Sequence, residues 1–255
     1  MKIRLLSDLH HEFFKRRDFY AEPFFEYRGE DVLVLAGDIA VGAINVVDVI
    51  GEFLVRGFPY VVYVTGNHEY YGSTLNNVNN ELESRLAKFG NKVLFLNQRY
   101  AKIGDIWFGG GTLWTNFRER QDSKVAAQFG ISDFNVINNF TVTKCLEQYY
   151  KDKSSITNFY ESVPFDEKKV IVTHFLPATE CIAPMYRGDT SMLNDYFANN
   201  LGHYISGLSN TTWMFGHTHS QVDTIIGNTR LFANPHGYIG YETQRGFEPF
   251  FTIEV

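Results

Sequence analysis

Short apolar runs separated by polar turns recur along this chain and predict β-strands. In the first third, such runs occupy residues 2–6, 32–36 and 60–64. Each run is rich in leucine or β-branched residues and too short for a helix, so we predict buried strands. Between the second and third runs, apolar residues at near-helical spacing predict a helix over residues 43–56, which a Gly-Phe-Pro segment ends. Alternating strands and helices are typical of βαβ units and a largely parallel sheet.

The rest of the chain continues the pattern with shorter elements. A second helix is predicted from residue 73 or 74 to about residue 89, followed by a Gly-Asn turn. Further strands are predicted at residues 93–96, 100–103, 106–108, 170–173, 212–215, 222–226, 230–233 and 250–255. Glycine-containing turns separate the last three runs, which favours antiparallel pairing there. Parallel units early and hairpins late predict a mixed, layered α/β fold.

Two stretches lack a clear period. We predict a loop with one short helical turn over residues 11–30, and a polar, Asn-rich stretch over residues 116–166 with its best helix at 134–150. The longer stretch is either an excursion packed over or beside a functional site or a plain surface layer of helices. Polar motifs run from residue 8 to residue 219, so one site would need nearly the whole chain, and we predict a single domain over residues 1–255.

Composition narrows the possible partners and compartments. A net charge of -6 and a pI near 5.8 disfavour long duplex nucleic acid, which requires a broad basic surface. A small phosphorylated substrate stays open, because bound metal ions would dominate the local field. Two cysteines, Cys145 and Cys181, and no apolar run of membrane-spanning length favour a reduced cytoplasmic protein without a targeting segment, although a disulfide stays open. The composition does not predict an oligomeric state.

Five polar clusters carry the candidate chemistry, and each follows an apolar run by one to three residues. They are Asp8-Leu9-His10, Gly37-Asp38, Gly66-Asn67-His68-Glu69, His174 and Gly216-His217-Thr218-His219. Parallel strands would bring all five to one edge of a sheet. Their carboxylate, amide and imidazole donors suffice for two adjacent divalent ions, a pair that serves phosphoryl chemistry. The clusters therefore predict a metal-dependent phosphoesterase.

The order of these clusters resembles that of the calcineurin-like metallophosphoesterase superfamily over residues 1 to about 240. The resemblance implies the metallo-dependent phosphatase fold, a four-layer α/β/β/α sandwich of two mixed β-sheets with a dinuclear metal centre at its edge. The implied ligands of the first ion are Asp8, His10, Asp38 and His219. The implied ligands of the second ion are Asp38, Asn67, His174 and His217.

The resemblance also implies catalytic roles. Asp38 would bridge the two ions, and a bridging hydroxide would attack phosphorus in line with the leaving group. His68 would bind the phosphate together with Asn67, or protonate the leaving oxygen. Mn²⁺ is the expected metal, and Fe, Zn²⁺ and Ni²⁺ also accept this mixed donor set.

One departure from the family pattern bears on the substrate. Protein Ser/Thr phosphatases of the superfamily continue with Asp-Arg-Gly after the bridging aspartate, whereas Asp38 is followed by Ile39-Ala40-Val41-Gly42. A protein substrate is therefore disfavoured, and the chain is more similar to small bacterial or phage phosphoesterases and cyclic-nucleotide-type phosphodiesterases. The segments that we expect to select the substrate are residues 112–166 and 176–200.

Several residues outside the clusters are weaker candidates. Arg187 is the best available cation for the substrate phosphate, with surface ion pairing as the alternative. Glu69 and Asp223 would orient imidazoles, or else be solvated charges. Aromatic residues fill the core or line a cleft, and those considered for the cleft are Tyr70, Tyr71 and Trp114. The remaining histidines are His11, His203 and His236, of which His203 is expected to be structural.

The leading hypothesis is a dinuclear metal-dependent phosphoesterase that hydrolyses a small phosphomonoester or phosphodiester, with a nucleotide-like group as a candidate substrate. One alternative is a metal-dependent nuclease, which would need a basic track that this acidic chain lacks. The other is a noncatalytic binding scaffold on the same fold, which would be expected to lose metal ligands, and here the set is complete.

Overall fold

The computed structural model describes residues 1–241 and 246–255, which form two β-sheets. The strands of the first sheet are β1 Lys2–Leu6, β2 Val32–Ala36, β3 Val61–Val64, β4 Val93–Phe95 and β11 Thr252–Glu254. The strands of the second sheet are β5 Tyr100–Ile103, β6 Ile106–Gly111, β7 Lys168–Thr173, β8 Thr211–Phe215, β9 Val222–Ile226 and β10 Thr229–Ala233. The predicted strand runs are thus confirmed, with small shifts at their ends.

Helices flank the two sheets. The α-helices are α1 Arg16–Phe19, α2 Ala43–Val55, α3 Leu75–Leu86, α4 Gln121–Gly130, α5 Asp133–Val136, α6 Val142–Ser162, α7 Asn194–Phe197 and α8 Gly202–Ser206. The packing of α3 on β4 places helices outside the first sheet, and that of α6 on β6 and α8 on β9 places helices outside the second. The predicted four-layer α/β/β/α arrangement is confirmed.

Both sheets are mixed. In the first, the order is β11-β1-β2-β3-β4, with β1 to β4 parallel and β11 antiparallel to β1. In the second, the order is β5-β6-β7-β8-β10-β9, with β5 and β9 as antiparallel edges. The predicted antiparallel pairing in the tail is confirmed for β9 with β10. In addition, β10 pairs parallel to β8, and β11 pairs antiparallel to β1 in the other sheet.

The core between the sheets explains why the strands read as continuous apolar runs. In β2, Val32 and Val34 pack into the cluster between the sheets, whereas Leu33 and Leu35 pack into the cluster beneath the helices. Side chains alternate between the faces of a strand, so a strand buried on both faces is apolar at every position. This burial fixes the strand registers and hence the positions of the loops that follow them.

The helix predicted over residues 134–150 was displaced from the true one. The structure has the short α5 at Asp133–Val136 and a separate long helix, α6, at Val142–Ser162. The boundary lies at Thr141, whose hydroxyl accepts a hydrogen bond from the backbone N–H of Lys144 at 3.1 Å and caps the helix. Residues 116–166 were expected to be patchily helical, and they contain a further helix, α4 at Gln121–Gly130, where the polar sequence has no clear apolar period.

Two global properties of the described chain bear on its environment. None of the helices in residues 1–241 and 246–255 combines the length and hydrophobicity that crossing a bilayer requires. Cys145 and Cys181 are buried and free, so the disulfide that the sequence left open does not form.

Candidate metal centre

The carboxyl ends of five strands meet at one edge of the sandwich, and the predicted clusters follow them directly. Asp8 comes two residues after β1, and His174 comes immediately after β7. The loops are tied together by backbone hydrogen bonds, from the N–H of Asp8 to the carbonyl of Gly37 at 2.9 Å and from that of Gly216 to the carbonyl of His174 at 3.0 Å. The structure therefore brings the five clusters to one place, as strand position alone predicts.

One group of donors comprises Asp8, His10 and His219, whose ligand atoms lie within 4.8 Å of one another. The Nε2 of His219 is 3.2 Å from an Asp8 carboxylate oxygen and 3.2 Å from the Nε2 of His10. The Nε2 of His10 also lies 3.8 Å from the Oδ2 of Asp38. These distances suit side chains that converge on one ion.

A second group comprises Asp38, His174 and His217, joined by Asn67. The Nε2 of His174 lies 3.4 Å from the Oδ2 of Asp38, 3.1 Å from the Oδ1 of Asn67 and 3.1 Å from the Nδ1 of His217. Since the same Oδ2 of Asp38 also faces His10, this carboxylate lies between the two groups. It is the arrangement that a bridging ligand requires.

The chemistry of these donors fits a bound cation. The Nδ1 of His174 lies 2.8 Å from the carbonyl of Ala36, which can only accept, so the neutral imidazole carries its proton there and leaves a lone pair on Nε2. That lone pair faces the oxygens of Asn67 and Asp38, which are themselves acceptors. Such electron pairs repel one another unless a positive charge lies between them.

The electrostatics of His174 agree with this fit. Burial lowers the pKa of His174, but the carboxylates of Asp38 and Asp8 outweigh burial and raise that pKa to about 9. Burial has the opposite effect on a carboxyl and by itself would raise the pKa of Asp38. The facing imidazoles of His174 and His68 nevertheless hold that pKa well below its usual value. The site therefore attracts positive charge, and a divalent cation would compete for the place that a proton otherwise takes.

The backbone at these positions is strained. Five of the seven predicted metal ligands have left-handed φ angles, which side chains other than glycine rarely adopt. They are Asp8 at 52°, His10 at 46°, Asp38 at 54°, His217 at 67° and His219 at 45°. Each such conformation costs on the order of 1 kcal/mol or more, and such residues concentrate at functional sites. The left-handed conformations turn the loops sharply, so that each side chain points back toward the common edge.

Two glycines permit the close approach of the loops. A Cβ on Gly37, whose φ is +85°, would collide with the imidazole of His174, and a Cβ on Gly66 would collide with the carboxylate of Asp38. Any side chain at either position would displace a predicted ligand.

Comparison with known sequences identifies the family. The sequence profile of the calcineurin-like phosphoesterases matches residues 1–221. The chain belongs to the calcineurin-like phosphoesterase family. It is 25% identical over 283 residues to the uncharacterized protein L509 of Acanthamoeba polyphaga mimivirus, an alignment that covers 99% of this chain and 96% of that one.

A solved structure shares the fold. The phosphopantetheinyl hydrolase PptH from Mycobacterium tuberculosis superposes with a TM-score of 0.70 at 15% identity, over 93% of this chain and 89% of that one. At this identity the likeness concerns the fold, and it agrees with the calcineurin-like phosphoesterase architecture of two flanked mixed sheets.

The predicted ligands of this calcineurin-like phosphoesterase are oriented by side chains that the sequence did not reveal. The amide nitrogen of Asn67 donates to the Oδ1 of Asp133 at 3.2 Å and to the hydroxyl of Tyr71 at 3.3 Å, which directs its Oδ1 toward His174. The Nδ1 of His10 lies 3.1 Å from the Oε1 of Glu12. Partners of this kind fix ligand geometry and affect metal affinity. Asp133, in α5, thus connects the stretch 116–166 to the metal centre.

His68 lines the cleft, and its ring nitrogen lies within 4.8 Å of the ligand atoms of His10 and Asp38. Its Nδ1 is 2.9 Å from the Oε1 of Glu12, and its Nε2 is 3.0 Å from the hydroxyl of Tyr238 and 4.0 Å from the Oδ2 of Asp38. Its ring stacks on Tyr71 with 4.2 Å between the centroids. Glu12 therefore orients both His10 and His68, and its position two residues after a ligand is the signal that could have revealed it.

Glu69 neither orients an imidazole nor is a solvated charge, so both predictions for it were wrong. It is completely buried, and its carboxylate accepts the backbone N–H groups of Gly66 at 2.8 Å, Asp38 at 3.1 Å and Ile39 at 2.8 Å. Since β2 and β3 are neighbours, their following loops lie side by side, and Glu69 joins them. Burial, with the nearby charge of Asp38, raises the pKa of Glu69 to about 8.

Other candidates lie away from the donors. Asp223 is on β9, where its exposed carboxylate pairs with Arg230 at 2.6 Å. Of its two predicted roles, that of a solvated charge is therefore correct. Arg187 is exposed, donates to the carbonyls of Ile182 at 2.9 Å and Glu180 at 3.2 Å, and is not among the described residues that line the cleft. Its predicted role with phosphate stays a prediction.

The three remaining histidines also lie outside the cluster. His203 is exposed in α8, as expected of a structural residue. His11 packs edge-on against Phe19 at 4.8 Å, and the Nδ1 of His236 lies 2.9 Å from the carbonyl of Gly237. Among the aromatic candidates, Tyr71 lines the cleft, whereas Tyr70 and Trp114 are buried in the core.

Proposed function

We propose that this chain is a dinuclear metal-dependent phosphoesterase that hydrolyses a small phosphomonoester or phosphodiester. The observation that carries the proposal is the position of the Asp38 carboxylate between two groups of nitrogen and oxygen donors. One ion would be held by Asp8, His10, Asp38 and His219. The other would be held by Asp38, Asn67, His174 and His217. Mn²⁺ is the metal that we propose.

The protein's own residues would prepare the reaction. Two bound metal ions would neutralise the charge of the phosphate and activate a water molecule. His68 has its orienting contact on Nδ1, through Glu12, and its Nε2 lies 3.0 Å from the hydroxyl of Tyr238, which also lines the cleft. From there Nε2 would bind a phosphate oxygen or deliver a proton to the leaving oxygen, and Asn67 would help to position the phosphate.

Membership of the calcineurin-like phosphoesterase family supports a hydrolase, as does the name of the structural neighbour from Mycobacterium tuberculosis. The complete donor set argues against a noncatalytic scaffold. The net charge of -6 argues against a nuclease, since a polynucleotide track would need basic residues. We further propose a cytoplasmic protein with one catalytic domain.

Removal of metal is expected to lower hydrolysis of aryl phosphates, bis-aryl phosphates or cyclic nucleotides by at least about 100-fold, because metal ions supply several kcal/mol of charge stabilisation. Dialysis against a chelator followed by addition of Mn²⁺ and a steady-state assay checks this, and Mn²⁺ should restore the rate. His174→Ala should not be restored, whereas its matched control His203→Ala, an exposed histidine, should behave as the wild type. Full activity in the chelator-dialysed wild type would refute metal dependence.

A further inference from the structure

A cleft of about 540 Å³ opens directly from the predicted metal ligands Asp38, Asn67 and His217. This volume falls within the roughly 300–1,000 Å³ of small-molecule sites, so space remains beyond a phosphate for the rest of a substrate. Residues 130–133 and residues 182–197 also line the cleft, and they contact each other through the hydrogen bond from Tyr196 to Asp133. These are parts of the two stretches in which substrate selection was expected.

The wall of the cleft is mainly apolar. Its apolar side chains are Ile131, Leu176, Ile182, Ala183, Leu193 and Phe197. The ring of Phe197 lies 5.2 Å from that of His217, so the apolar wall begins next to the metal ligands. A substrate whose phosphate reaches the ligands would therefore place its remaining part against hydrocarbon.

The charged groups of the cleft disfavour an anionic leaving group. Among the described lining residues there is no lysine or arginine. The carboxylate of Asp133 accepts hydrogen bonds from Tyr71 at 2.7 Å, Tyr196 at 2.6 Å and Asn67 at 3.2 Å, so it is committed to the protein. Asp189 is exposed at the cleft. A second anionic group on the substrate would find no lysine or arginine among the described lining residues and would be repelled by the Asp189 carboxylate, so no cationic partner would offset its desolvation.

We propose that the substrate is a phosphoester of an extended, uncharged, apolar alcohol, whose hydrocarbon part packs against Ile131, Leu193 and Phe197. This inference rests on the proposed phosphoesterase function. In the reaction, the oxygen of water forms a bond to phosphorus, the bond from phosphorus to the leaving oxygen breaks, and that oxygen takes a proton to give the free alcohol. The metal ligands bind the phosphate, and the wall selects the alcohol.

The specificity constants of ethyl, butyl and hexyl phosphate for the Mn²⁺-loaded protein test the proposal, with the corresponding methyl alkyl phosphates if the enzyme acts on diesters. The three alcohols are similarly poor leaving groups, so the series isolates contact with the wall. Each buried methylene is worth about 0.8 kcal/mol, or about four-fold, so we expect kcat/KM to rise at least about ten-fold from ethyl to hexyl. The anionic analogue 5-carboxypentyl phosphate should fall about ten-fold below hexyl phosphate. A flat or falling series overturns the inference.

A variant and a binding measurement separate this inference from the proposed function. Leu193→Asp should abolish the preference for hexyl over ethyl phosphate, whereas the matched control Ile225→Asp, exposed on β9, should keep it. If Leu193→Asp does not fold, the wild-type series still decides. Calorimetry with hexylphosphonate and methylphosphonate needs no turnover. Tighter binding of hexylphosphonate without any hydrolysis overturns the proposed function and leaves only the preference of the wall for hydrocarbon. Hydrolysis with a flat chain-length series overturns only the inference.

Discussion

Asp38→Asn is expected to lower kcat by about 1,000-fold or more, because one transition-state charge stabiliser is typically worth 10²–10³ and a metal ion several kcal/mol. Asp38 is the carboxylate whose Oδ2 faces both His10 and His174. The oxygen of an amide carries no negative charge, so it would attract two cations far less strongly than the shared carboxylate oxygen does. Steady-state kinetics and metal analysis of the purified variant measure the two consequences.

The size of asparagine is close to that of aspartate, so Asp38→Asn is expected to leave the fold intact. The matched control is Asp223→Asn, which alters an exposed carboxylate on β9 paired with Arg230. The control should keep both its metal content and its rate. An Asp38→Asn enzyme with two bound ions and a rate within ten-fold of the wild type would contradict the bridging role.

His68→Ala is expected to lower kcat by about 10²–10⁴-fold, the usual contribution of a positioned acid–base group, without loss of metal. His68 lines the cleft and lies beside the predicted ligand Asn67. Its imidazole comes no closer than 4.0 Å to the Asp38 carboxylate, to which only its backbone N–H donates, at 2.9 Å. Rate and metal content therefore separate its role from that of the ligands.

His203→Ala is the control for His68→Ala, since His203 is an exposed histidine in α8. The control should match the wild type in both measurements. Loss of both ions from His68→Ala would show that His68 supports the metal centre structurally. An unchanged rate would remove it from the chemistry altogether.

The fold was predictable where both faces of a strand are buried. In β2 and β3 every position is apolar, so the runs stand out, and the polar residues that follow them mark the edge of the sheet. The same logic located Asp8, Asp38 and His174, because each follows a strand. Local sequence therefore sufficed for the ligand loops.

The supporting side chains were not predictable in this way. Asp133 contacts Asn67 across 66 positions of the chain, from a short helix that no periodic pattern marks. Glu12 contacts His68 across 56 positions. Such contacts depend on how the polar stretch 116–166 and the loop after β1 fold over the sheet edge. Tertiary packing determines these contacts, and neither helix propensity nor strand position predicts them.

Two separate parts of the chain would bind the phosphate and the alcohol of the proposed substrate. The strand-end loops supply donors for phosphate chemistry, and residues 130–133 and 182–197 supply the apolar wall that we propose for the alcohol. The preference for a long aliphatic chain and the binding of metal should therefore change independently among variants. Leu193→Asp would change the chain-length preference, and Asp38→Asn would change metal binding.

A crystal structure of the Mn²⁺-loaded protein, with anomalous differences recorded near the manganese absorption edge, tests the dinuclear centre directly. Two anomalous peaks per chain are expected, about 3.5–4 Å apart as in other two-metal sites. One peak should contact Asp8, His10 and His219, the other Asn67, His174 and His217, and both should contact Asp38. A single peak, or two that do not share Asp38, would contradict the dinuclear centre.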